Sequence, residues 1–174
     1  AELKQASTSR AEEKVLTISL ALESLVAAQY RQVEVSASLT ANRNSLGRNL
    51  ASRNTEGARA AIKDVLGQSL KDSGIAFLEI IDRNEQVIYR TNPSDAPTDP
   101  AISWGAFEGL SGRNVVSGAV EMGLLTVRAS EPVYFGKEVV GVVTAGLRIT
   151  PDILQEITRN LGADVALLSR EGKI

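Results

Sequence analysis

The 174-residue chain has no cysteine and no histidine. A disulfide scaffold is therefore excluded, and so are cysteine nucleophiles and histidine-dependent triads. Structural zinc sites draw on the same two residue types, so neither a metal nor a cofactor is expected. Aromatic residues are scarce, at 4%. Leucine, valine, isoleucine and alanine must fill the core, and hydrophobic residues make up 43% of the chain. An excess of positive charge is also missing. Nineteen Lys and Arg stand against 21 Asp and Glu, for a net charge of −2. Phosphate backbones need clustered cations, so nucleic acid is not expected as a partner. No run of about 18 apolar residues occurs, so no segment reads as a membrane span. The chain starts at Ala1 without methionine or a basic leader. The expectation is a segment excised from a longer protein, which leaves signal and membrane segments of the parent open.

Proline is absent from the first 72 residues, where alanine, leucine and charge dominate. Leu3 to Val33 reads as a long helix. Ala11, Val15, Ile18, Leu22 and Leu25 form one apolar seam at near-heptad spacing. From Ala11 to Glu34 such a helix is about 36 Å long. It either lies on its own core or pairs with a second copy as a stalk. Leu39, Leu46 and Leu50 suggest a second helical piece ending near Ser52. Thr55 is the expected N-cap of a third helix from Glu56 to Leu70, with Gly74 just beyond its end.

At Gly74 the pattern changes. IAFLEIID is an apolar, β-branched run and reads as a central strand buried on both faces. Asp82-Arg83-Asn84-Glu85 is turn chemistry, and QVIYRT is the returning strand. NPSDAPTDPA is a loop, followed by a short helix within Ala101–Leu110. NVVSGAVE, GLLTVRASEPVYF and EVVGVVTAGLRIT then give three strands. Thr150 and Pro151 open a last helix that stops at Gly162, and ADVALLSREGKI reads as a further strand and turn. The expected class is α+β, with long N-terminal helices before a five-stranded antiparallel sheet. Residues 1–72 form the stalk and supporting helices, 73–150 the sheet module, and 151–174 a helix and the start of a strand.

FLEIIDRNEQVIYRTNP resembles the opening hairpin of a Cache module, a PAS-like extracytoplasmic sensor domain of bacterial transmembrane receptors. LLTVRASEPVYFGKEVVGVVTAGLRIT resembles the closing hairpin of that family, with its Pro-Val pair, Gly-containing turn and Val-Val-Gly-Val-Val strand. DILQEITRNLGADVALLSREGKI is similar to the link from a membrane-distal module into a second one. The resemblance covers residues 36–174 and implies a PAS-like fold in a double-Cache-type region. It further implies a periplasmic location, a membrane-anchored parent, and an output as chemoreceptor, histidine kinase or nucleotide cyclase. The Tyr/Arg/Trp/Tyr/Asp pattern of the amino-acid-binding receptors is missing, and so is any CxxCH haem motif.

Strand alternation selects the candidate site. Thr126, Arg128 and Ser130 share one face of their strand, and Val140, Val142, Thr144, Gly146 and Arg148 share one face of the next. Gly146 leaves room for another group near the backbone. The set reads as a pocket wall, or else Arg128 points to solvent and Gly146 marks a bulge. Arg90 could clamp a ligand carboxylate, or form a surface ion pair with Asp82 or Glu85. Tyr89 and Trp104 could wall or lid a pocket, or simply cap the core. Arg113 is a further anion candidate. Tyr134 either packs at its turn or donates its hydroxyl. The candidate ligand-binding residues are thus Tyr89, Arg90, Trp104, Arg113, Arg128, Ser130, Tyr134 and Thr144.

Asp82, Asn84 and Glu85 lack the Gly and distal Glu of a calcium loop, and Asp95 and Asp99 lack a matched partner for acid/base hydrolysis. No enzymatic constellation is present. The expected function is binding of a small polar or anionic molecule, such as a carboxylate or amino acid, relayed through the helices. The alternative is a ligand-free dimerisation spacer or a docking site for a binding protein.

Overall fold

A computed structural model of the chain describes residues 2–66, 74–91, 104–121 and 124–164. Helix α1 runs over Glu2–Ala41, α2 over Asn44–Ala51 and α3 over Thr55–Leu66. Strands β1 (Phe77–Asp82) and β2 (Val87–Arg90) follow, then helix α4 (Trp104–Leu110). Strands β3 (Val115–Glu121), β4 (Leu124–Phe135) and β5 (Glu138–Ile149) complete the sheet, and α5 covers Pro151–Leu161. The α+β class and the antiparallel five-stranded sheet are as expected. The proline loop, the end of the third helix beyond Leu66 and most of ADVALLSREGKI lie outside the described residues.

Two helical details differ from the sequence reading. The first helix does not stop near Val33 but continues to Ala41, so Leu39 belongs to it and not to the second piece. Nothing between Val33 and Ala41 breaks a helix, and the Thr40 hydroxyl donates to the Ser36 carbonyl within it (2.8 Å). The cap of α3 is Asn54 rather than Thr55. Asn54 Oδ1 accepts from the backbone N–H of Gly57 at 2.9 Å, three residues on. Thr55 is then the first helical residue, a position whose side chain does not cap.

The chain divides into two units. One comprises residues 1–28 and 149–174. In it α5 is capped as its sequence demands. Thr150 Oγ1 accepts from Ile153 N–H, Pro151 occupies the first turn, and Gly162 closes the helix in the left-handed region (φ 60°). The other unit, residues 29–148, contains the end of α1, helices α2, α3 and α4, and nearly all of the sheet.

The strand order is β2-β1-β5-β4-β3. β1 pairs with β5 without a break, Phe77 opposite Gly146 through to Asp82 opposite Gly141. β3 pairs with β4 from Val115 opposite Ser130 to Glu121 opposite Leu124. Asp82 closes the β1–β2 hairpin, because its Oδ1 accepts from the N–H groups of Asn84 and Gln86 (2.9 Å each). A register shift falls between Ile80 and Ile81 in the β1–β2 pair.

Alternation gives the sheet two different faces. Ile80 stands opposite Val143, and both are wholly buried. A Cβ on Gly141, on the same face, would meet Leu50 of α2 at 2.9 Å. This is the helix-covered face, and its apolar burial together with Leu46, Ile62, Val33 and Leu78 is the core. Each such side chain stabilises the fold by about 1.5–3 kcal/mol. The other face carries α4. Gly105 and Gly109, one turn apart, let that helix descend onto the sheet: a Cβ at 105 would lie 2.8 Å from Ser130 Oγ, and one at 109 would lie 2.7 Å from Val142 Cγ1.

Candidate functional site

On the α4 face, residues from four strands form one polar row. Arg90 of β2 stands opposite Glu79 of β1, and Glu79 stands opposite Thr144 of β5. Thr144 Oγ1 and Ser130 Oγ of β4 share a buried hydrogen bond of 2.8 Å. Arg90 Nε donates to Glu79 Oε2 as an ion pair whose two side chains are both largely buried. Neither Asp82 nor Glu85 is its partner, because the ladder places Glu79 directly opposite. A hydroxyl has one donor and two lone pairs, so a Ser–Thr hydrogen bond leaves one O–H and further acceptor capacity to be used.

The neighbouring row is built around Gly146. The ring of Phe77, opposite it on β1, lies where a Cβ of residue 146 would be. Arg128 of β4 stacks its guanidinium on that ring, with Cζ 5.2 Å from the centroid. Such a cation–π contact is worth about 0.5–2 kcal/mol, depending on desolvation. The gap expected at Gly146 is thus a seat for an aromatic ring, and no register shift occurs there. Ser117 of β3 stands opposite Arg128. Thr126, two residues before Arg128 on the same face, is wholly buried, and its Oγ1 finds no hydrogen-bond partner among the described residues.

The structure therefore brings Arg90, Arg128, Ser130 and Thr144 together on one face. The backbone of Trp104 opens α4, the helix lying on that face. Tyr89 stands opposite Ile80 and alternates onto the helix-covered side, away from Arg90. Tyr134 and Arg113 gather at the C-terminal end of α4. The Tyr134 hydroxyl donates to the Gly112 carbonyl (3.3 Å), and Arg113 forms an ion pair with Glu108. That hydrogen bond holds the Glu108 carboxyl below its ordinary range and raises Arg113. Both partners are solvent-screened, so the pair adds little to stability.

Phe77, Glu79 and Ser117 are members of this face that the sequence reading left out of the site, and Thr126 was grouped on the wall but not among the binding residues. A usable signal existed for two of them. Within IAFLEIID, Phe77 and Glu79 are two apart, and a charge inside an apolar strand marks one face as different. Among the described residues there is no group of three His, Cys, Asp or Glu able to hold a metal ion. None of the described helices is long and apolar enough to cross a membrane.

Comparison with known structures places this fold. The sensor domain of the Vibrio cholerae histidine kinase DctB superimposes with a TM-score of 0.67 at 17% identity, covering 90% of this chain and 60% of that one. The periplasmic domain of V. cholerae LuxQ gives 0.63 at 15% identity, covering 84% and 70%. The ligand-binding domain of the Pseudomonas aeruginosa amino acid chemoreceptor PctC, solved in complex with GABA, gives 0.54 at 22% identity, covering 86% and 65%. No curated protein matches the chain. The family described as the double sensory domain of two-component sensor kinases matches residues 9–174. A long leading helix, a five-stranded antiparallel sheet, a polar face under a short helix and this match together assign the chain to that Cache-type family of sensory domains.

Proposed function

We propose that the chain is the periplasmic ligand-sensing part of a membrane-anchored receptor, and that it binds a small polar or anionic molecule on the α4 face of the sheet. The observation that carries this reading is the polar band Arg90–Glu79–Thr144–Ser130, with Arg128 on Phe77 beside it, on a largely buried sheet face. Buried polar groups cost free energy unless something satisfies them, and a core built only for stability would be apolar here. Arg128 and Arg90 supply charge, and Ser130 and Thr144 supply hydrogen bonds. Trp104 opens α4, the helix lying on that face. Because α4 covers Ser130 and Thr144, ligand entry changes how α4 sits. A ligand that prefers one such arrangement shifts the population towards it, by no more than its differential affinity.

A carboxylate or amino acid is the class to test first. The GABA complex of PctC shows that one protein of this fold takes such a ligand. The family description favours a kinase as the output, with a chemotaxis signalling domain as the alternative; nothing in the comparisons speaks for a cyclase.

The experiment is a thermal-shift screen against carboxylates, amino acids, amines, purines and sugars, repeated with Arg128→Ala. A ligand at 100 times its Kd stabilises by about 2.7 kcal/mol, several degrees in a chain of this length. A hit abolished by Arg128→Ala supports the site. A hit that survives moves the pocket elsewhere.

A second reading is a ligand-free dimerisation module. It is favoured by the exposure of Val15, Leu16 and Leu20 on α1, at 64%, 61% and 57%. Sedimentation equilibrium separates the two: a tight dimer with a blank ligand screen supports the spacer.

A further inference from the structure

The two edges of the sheet are finished differently. At one edge, β2 is four residues long and shifts register against β1 between Ile80 and Ile81. Its Ile88 carbonyl accepts from Arg59 Nε of α3 at 2.9 Å. Shortness, a bulge and a covering helix are means by which an edge strand is kept from pairing with another chain. At the other edge, β3 has none of them. It is seven residues long and pairs with β4 without a break from Val115 to Glu121. Among the described residues, no strand and no side chain takes up its outer row of N–H and C=O groups.

The usual chemical guards are missing as well. Val115 to Val120 carry no charge and no proline, where lysine or proline would block an added strand. Val116 and Val120 are exposed instead, Val120 at 71%. Outwards from Gly118 the strand nearly mirrors itself: Ser117 and Ala119, then Val116 and Val120. The first charges beyond this centre are of opposite sign, Arg113 on one side and Glu121 on the other.

We infer that β3 is a docking edge for β3 of a second copy of this chain, added antiparallel about a two-fold axis at Gly118. In that register Val116 of each copy stands opposite Val120 of the other, and Ser117 opposite Ala119. Glu121 stands opposite Val115 and diagonal to Arg113 of the second copy, within reach of a long side chain, and no like charges meet. Arg113 is exposed, and its ion pair with Glu108 is solvent-screened, so it is free to share a second carboxylate. Main-chain hydrogen bonds supply the attraction, and the valine pairs set the register. The pairing closes on itself, because it uses both free edges and leaves the joined sheet ended by the guarded β2 strands. It draws on neither the apolar residues of α1 nor the polar row under α4. A single pair of strands buries less than a standard interface, so the association is weak and reversible.

Sedimentation equilibrium up to about 1 mM should therefore show a concentration-dependent dimer. Val116→Glu and Val120→Lys each change an exposed side chain. Each should leave Tm within about 2 °C of the unsubstituted chain, melted at a concentration where both are monomeric. Each alone should weaken dimerisation about tenfold, since two valine pairs are lost per dimer. An equimolar mixture of the two variants should dimerise again, because the register sets the introduced carboxylate of one opposite the introduced ammonium of the other. A dimer indifferent to both substitutions would place the contact elsewhere, as on α1, and overturn the proposal. A chain that stays monomeric over that range, or a mixture that fails to recover the dimer, would overturn it too.

Discussion

The two faces of the sheet are made by the same strands and differ in almost everything else. On the helix-covered face Ile80 and Val143 are opposite one another and sealed by helices, with Leu50 of α2 close above Gly141. One step along each strand, Glu79 and Thr144 stand opposite one another on the face that carries α4. The first face stabilises by burying apolar area, which requires nothing but shape. The second buries hydroxyls and an ion pair, which hold only while each group keeps its partner. The proposed ligand site is placed on the polar face because stability alone is better served by apolar packing.

Substitutions that treat the faces separately sharpen that contrast. The largest effect is expected on the apolar side: Ile80→Ala should cost about 2–5 kcal/mol in urea unfolding and leave ligand affinity intact. A small loss there would mean that the helices do not seal that side. Gly146→Ala on the other side should cost about 1–3 kcal/mol, because its Cβ falls on the Phe77 ring. The double variant with Phe77→Ala should show strong coupling in a double-mutant cycle, and additive losses would refute the seat.

Between β4 and β5, Thr144→Val strands the Ser130 hydroxyl and should cost about 1–3 kcal/mol. Adding Ser130→Ala should recover most of that loss, since both partners are then gone; no recovery would mean the hydrogen bond is not what holds the pair. The smallest effect concerns a helix end away from both faces. Asn54→Ala should cost about 0.5–2 kcal/mol, against a few tenths for Thr55→Ala, as read from thermal melts. Equal losses would return the cap to Thr55.

Much of the fold was legible from pattern. The switch from helical spacing to β-branched runs at Gly74, the turn at Asp82 and the Thr150-Pro151 start of the last helix each follow from local chemistry. The cap of α3 was missed by one residue because Asn54 and Thr55 are both good caps, and only backbone direction chooses between them. The first helix runs past Val33 to Ala41 through serine and threonine, whose hydroxyls can bond back along a helix.

The candidate site was legible only in part. Alternation correctly grouped Arg128 with Ser130, and Thr144 with Gly146, within each strand. It could not state that Arg90 meets Glu79, or that Phe77 fills the space over Gly146, since both depend on which strands are neighbours and in what register. Alternation alone does separate Tyr89 from Arg90, adjacent in sequence and on opposite faces of the sheet, and the candidate site grouped both against it.

By itself the sequence determined the α+β class, the order of helices and strands and the absence of thiol, imidazole and membrane-span chemistry. These follow from interactions among residues a few positions apart, where spacing is the geometry. Only the tertiary structure decided which face is core and which is polar. It decided that Gly146 serves an aromatic ring, and that Arg90 pairs with Glu79. Those contacts join residues far apart in the chain, and a one-residue change of register would have sent each side chain to the other face.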